Sequence, residues 1–144
     1  MKKYSSAGFT LVEMLVVLGI IAMIVAFAMP RMAKSIGKTN ITNAVQALKA
    51  ASAQYESLCA TKGAYPTKAD QVMPDVPSGY STPTFGTATC ADGAAIKLTA
   101  TASLPDLCIG KTGGAWIYGN GTLPSGYTVD DIPVPAANLT YKCP

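Results

Sequence analysis

One carboxylate, Glu13, stands inside a run of otherwise uncharged and mostly apolar residues from Phe9 to Met29. A charge at that place costs on the order of 2.5–3.5 kcal/mol on membrane-insertion scales, so it calls for a partner. Four cysteines, Cys59, Cys90, Cys108 and Cys143, are too widely spaced for the Cys-x-x-Cys pairs of zinc or thiol redox sites, and their even number points to disulfides. The chain has no histidine, which removes the commonest general base and the commonest metal ligand together. Asp130 and Asp131 with Asp92 could offer oxygen ligands to calcium, but without regular ligand spacing they read as solvated loop acids. Trp116 and the tyrosines could form an adhesive patch, although an apolar Trp-Ile-Tyr run reads more simply as core. No phosphate-binding glycine loop, catalytic triad or paired-carboxylate motif is present in the sequence, so the expectation is a protein that is not an enzyme and carries no cofactor and no metal.

The elements that must position these residues begin with the apolar run. As a helix, Phe9 to Met29 is roughly 31 Å long, close to the thickness of a bilayer core. Lys2 and Lys3 precede it, and by the positive-inside rule they hold the amino end in the cytoplasm and send the rest of the chain outward. Disulfides persist on that oxidising side. Only 13% of the 144 residues are charged, against roughly 25% in soluble domains. The net charge of +3 is scattered, with none of the basic clustering that nucleic-acid binding requires. The apolar run is too long for an ordinary secretory signal, and its polar residue lies within it.

Gly8-Phe9-Thr10-Leu11-Val12-Glu13, followed by an apolar helix, resembles the processing site of type IV prepilins and of the related type II secretion pseudopilins. The resemblance implies cleavage between Gly8 and Phe9 by a prepilin peptidase, N-methylation of Phe9, and an assembly role for Phe9 and Glu13. The resemblance also implies that Glu13 meets the terminal amine of a neighbouring subunit in the filament. Such pairing recovers the cost of two buried charges only in the correct register. Further implied partners are other copies of the chain, an inner-membrane platform protein and an assembly ATPase. The implied localisation is the inner membrane first and then an extracellular pilus filament.

The expected organisation is a leader at 1–8, a transmembrane or filament-core helix at 9–29, an amphipathic continuation at 30–62 and a head at 63–144. Pro30 is a candidate kink, because proline removes a helical hydrogen bond, and pilin helices often bend at a matching proline. Arg31, Lys34 and Lys38 mark the exit from the apolar run; a solvated face is the plain reading and a lipid or subunit contact the sharper one. Gly37, Thr39 and Asn40 are weak helix formers, which makes 30–40 a candidate for local melting. Ile41, Val45, Leu48, Ser52, Tyr55 and Cys59, flanked by Ala44, Ala51 and Leu58, describe one helical stripe. Lys62, Gly63 and Pro66 form a stop signal.

Gly63-Ala64-Tyr65-Pro66-Thr67 resembles the turn that follows the long helix in many pilins. Beyond it, short alternating segments separated by Pro, Gly, Ser and Thr predict a small antiparallel sheet, giving an α+β pilin fold. Strands are predicted at Ala95–Thr99, at Trp116–Tyr118 and at Leu139–Lys142, with a turn at Gly119-Asn120-Gly121 leading to Tyr127 and Val129. Four cysteines allow three pairings. The favoured set is Cys59–Cys90, which would pin the helix end to the following loop, and Cys108–Cys143, which resembles the disulfide-bounded C-terminal loop of pilins. Asn40, Asn120 and Asn138 open short glycosylation patterns that are common by chance, and the resemblance implies a bacterium. The leading functional expectation is a type IV pilin whose filament serves adhesion, motility or DNA uptake. The alternatives are a type II secretion pseudopilin and a membrane-anchored binding module that never polymerises.

Overall fold

The computed structural model describes residues 8–87, 89–101 and 103–144. Of the expected leader only Gly8 is among them; Lys2 and Lys3 lie outside the described residues. The chain divides into two units, Met1–Ile36 and Gly37–Pro144. A single helix, α1 (Leu11–Lys62), contributes to both, and a small four-stranded antiparallel sheet completes an α+β, pilin-like architecture.

In the first unit every described residue is exposed. α1 is helical straight through Pro30, whose missing N–H leaves the Ala26 carbonyl without its usual partner. Residues 30–40 are helical as well.

The second unit is built on the last part of α1. Its buried side chains are Ile41, Ala44, Val45, Leu48, Ala51, Ser52 and Tyr55, the stripe that three-and-four spacing places on one face. Gly37 is buried too, because the Tyr127 hydroxyl lies where a β-carbon would project. The helix stops after Lys62, and the Gly63 N–H satisfies the Cys59 carbonyl at 3.0 Å.

The strands are β1 (Thr84–Phe85), β2 (Ala95–Leu98), β3 (Leu107–Thr112) and β4 (Ala115–Asn120), in that spatial order. Register places Ile96 opposite Ile109 and Ile109 opposite Tyr118, with Leu98 opposite Leu107. Ile96, Leu98, Leu107 and Ile109 face the helix and pack with Ile41, Leu48 and Tyr55, each 2% exposed or less. Burying an aliphatic side chain of this kind contributes about 1.5–3 kcal/mol.

The opposite face carries Cys108 and Gly110 on β3 and Gly119 on β4. It is covered by the C-terminal segment, because the Tyr141 ring sits over Gly110 and the Tyr141 carbonyl over Gly119. Cys143 is bonded to Cys108, with Cα atoms 5.7 Å apart, and Lys97 Nζ donates to the Pro144 carbonyl at 2.9 Å. All four residues from Leu107 to Gly110 are therefore buried.

Two local expectations need correction. The turn after β3 is made by Gly113 and Gly114, with φ of 59° and 77°, the two positive values a tight hairpin demands. Gly119 and Asn120 instead lie inside β4, where the absence of a side chain at Gly119 lets Tyr141 approach. Residues 139–142 do not form a strand. Leu139 makes one parallel bridge to Tyr118, and the Tyr141 N–H donates to the Tyr118 carbonyl at 3.0 Å. The tie at Cys143 then draws the chain over the sheet face, so no ladder can grow along the edge.

Candidate functional site

Thr10 and Glu13 define the start of α1. The Thr10 N–H and hydroxyl donate to Glu13 Oε2 at 2.8 and 2.9 Å, and the Glu13 N–H donates to Thr10 Oγ1 at 3.2 Å. This is a reciprocal capping box, with Thr10 as the capping residue and Glu13 three positions on. The Thr-x-x-Glu spacing ahead of an apolar run carries that signal in the sequence, alongside the reading of Glu13 as a charge awaiting an external partner. Both bonds to the carboxylate end on Oε2, and Oε1 accepts none among the described residues.

Gly8 and Phe9 precede the helix in non-helical conformation, so the Gly8–Phe9 peptide bond lies outside the helical hydrogen-bond ladder. Phe9 is 77% exposed, and from Leu11 to Met29 the large side chains are uncovered by the chain itself. Among the described residues α1 is the one helix long and apolar enough to cross a membrane, with a mean hydropathy of 2.8 in its most apolar window and none of that window buried. So large an apolar surface needs cover from lipid or from other helices.

The other singled-out residues have structural employment in the second unit. Cys59 is bonded to Cys90, with Cα atoms 5.6 Å apart. Asp92 accepts from the N–H groups of Gly113 and Gly114 at 2.8 and 2.9 Å and so holds the β3–β4 turn. Asp131 accepts from the Thr128 N–H at 2.9 Å and pairs with Lys38 at 2.6 Å. Its side chain is 7% exposed, so it is not the solvated loop acid the sequence reading favoured. Among the described residues no group of three or more His, Cys, Asp or Glu side chains comes together in a way that could hold a metal.

Trp116 lies half-buried at the margin of the core, stacked edge-on against Tyr55, with its indole N–H donating to Glu56 Oε1 at 2.9 Å. The same oxygen receives Lys111 Nζ at 2.7 Å. The Lys111 hydrogen bond, helped by that of Trp116, holds the Glu56 carboxyl below its ordinary range against the opposing effect of burial. Burial pushes the Tyr55 and Tyr118 hydroxyls up. The Glu56–Lys111–Trp116 constellation was not anticipated, since nothing in local spacing links residue 56 to residue 111.

Residues 3–29 match the family described as the prokaryotic N-terminal methylation motif. That motif is the type IV prepilin leader signature, and it supports a protein of the type IV pilin and pseudopilin group. No curated protein and no solved structure is significantly similar to the chain.

Proposed function

We propose that the chain is the precursor of a type IV pilin, a structural subunit that a prepilin peptidase cleaves between Gly8 and Phe9 and that then polymerises through α1. The observation that carries this reading is an uncovered apolar helix that begins two residues after the proposed cut, within the matched methylation motif. Cleavage would leave an amine at Phe9, which is then methylated. Glu13 would receive the amine of a neighbouring copy on Oε1 while Oε2 stays committed to Thr10. An amine and a carboxylate left unpaired in hydrocarbon are each costly, so correct register is favoured over slipped alternatives.

In this reading the organisation is a leader at 1–8, a filament-core segment at 9–29, an amphipathic continuation at 30–62 and a head at 63–144. Pro30 gives the helix a place to bend. The precursor sits in the inner membrane, and the mature subunit joins other copies in a filament on the cell surface. The prepilin signature supports an assembly ATPase and an inner-membrane platform protein as partners, and the pilin reading supports use of the filament in adhesion, motility or DNA uptake.

Intact-mass measurement on sheared surface filaments and on the membrane fraction tests the reading. The expected filament species begins at methylated Phe9 and gains four hydrogens on reduction. A mature species confined to the periplasm, with none in surface filaments, would replace the pilin by a pseudopilin. A chain that still begins at Met1 in cells containing the peptidase would overturn both.

A further inference from the structure

Arg31 and Lys34 follow the apolar run directly, share one helical face and are exposed, and within the first unit neither has an acidic partner among the described residues. From Met14 to Tyr55 the sequence contains no Asp or Glu, so no neighbour along the helix can neutralise them. Lys38, one turn further on, is paired with Asp131.

Depth sets what the two residues can reach. With Met29 at the edge of the hydrocarbon, Arg31 lies roughly 3 Å beyond it along the helix and Lys34 roughly 7.5 Å. The headgroup layer on each side of a bilayer is about 5–7 Å thick. Side chains on a helix lean toward its N-terminus, here toward the bilayer, and long basic side chains extend along apolar surface to place their charge at the interface. Arg31 and Lys34 therefore reach phosphate depth, whereas Lys38 already has its counter-charge within the second unit. Met32, 65% exposed, adds apolar surface at the same level.

We propose that Arg31 and Lys34 form a binding site for the phosphate of anionic phospholipids in the outer leaflet of the membrane that residues 9–29 span. This inference rests on the membrane-held precursor described above. The site anchors the outward end of the helix until the subunit is withdrawn. A guanidinium at the site gives bidentate contact to phosphate, and the lysine adds a mobile point charge.

The test uses the full chain in phosphatidylcholine nanodiscs containing spin-labelled phosphatidylglycerol or spin-labelled phosphatidylcholine. Co-migration with the discs reads insertion, and the relative association of the two labelled lipids reads selectivity. The expected result is a preference for phosphatidylglycerol that falls up to about fivefold for each charge removed in Arg31→Gln/Lys34→Gln and weakens with salt. Lys38→Gln should leave the preference unchanged. Lys2 and Lys3 act on the opposite leaflet and are common to every variant, so the difference between variants isolates the outer site. A double variant that inserts and keeps the wild-type preference overturns the proposal while leaving the membrane reading intact. The same follows if that variant keeps the lipid preference but loses chemical cross-linking between copies, which would assign the two cations to an acidic surface of a second chain. Failure of the wild type to co-migrate with the discs overturns both readings.

Discussion

Lys111 Nζ lies 2.7 Å from Glu56 Oε1, tying β3, one of the two inner strands of the sheet, to α1. Lys111 also donates to the Cys90 carbonyl at 3.2 Å, so one ammonium joins the helix, the strand and the disulfide loop.

The pH dependence of the second unit follows from this pair. The folded-state pKa of Glu56 lies below the ordinary 4.5, chiefly because of the Lys111 hydrogen bond. The stabilisation is therefore complete above pH 4.5 and is lost as pH falls through the depressed value. Glu56 is 44% exposed, and solvent screening limits the effect of Glu56→Gln to about 0.5–1 kcal/mol at neutral pH. Urea denaturation of both proteins between pH 2.5 and 7 should show the gap closing in acid. A constant gap would mean that packing, not charge, connects the two elements.

Cutting the C-terminal tie by Cys143→Ser should cost roughly 3–4 kcal/mol, as expected for a loop of 35 residues. Amide exchange should locate the loss. Protection at Tyr141, whose N–H is bonded to Tyr118, should fall before that of β3. Uniform loss across the sheet would show that the tail is needed for folding as a whole.

Gly119→Ala is expected to be more damaging than Gly110→Ala. At position 119 the added methyl meets the Tyr141 backbone carbonyl, whereas at position 110 it meets a ring that can turn aside. Overpacking of this kind costs about 1–3 kcal/mol, and the thermal midpoints of the two variants should differ in that order. Equal midpoints would mean that the tail shifts freely as a body.

Thr10→Val removes both hydroxyl bonds of the capping box while keeping size and branching. It should weaken the start of α1 by roughly 1 kcal/mol, seen in detergent micelles as faster amide exchange at Leu11 through Glu13. Unchanged exchange would show that the apolar run alone sets the helix start.

The helical stripe from Ile41 to Tyr55 was legible because one side of that segment meets a core and the other meets water, which imposes the helical period. β2 was legible for the corresponding reason, with Lys97 alternating against Ile96 and Leu98. β3 carries no such signal because both its faces are covered, by the helix and by the C-terminal tail, so Leu107-Cys108-Ile109-Gly110 shows no alternation. The Gly119-Asn120-Gly121 turn was misplaced because glycine serves close approach as well as positive φ, and only tertiary structure separates the two uses. Trp116 reads as core from its composition, yet its N–H required an acceptor that only Glu56, sixty positions away, supplies. At the amino end the six residues from Gly8 to Glu13 were legible as a unit, but they hold two compatible messages. The outward-looking charge hid the inward-looking cap.

The edges of the sheet have a further consequence. β1 is two residues long and follows Pro83, while β4 is partly overlaid by the C-terminal segment. Neither border offers the long row of open amides and carbonyls that would let one head zip onto another. The second unit thus has little open strand edge to offer another copy, while exposed large apolar side chains run from Phe9 to Met29. For the membrane-held precursor proposed above, crowding would then bring heads together without strand-to-strand gelation, and the apolar helix would be the principal route of association.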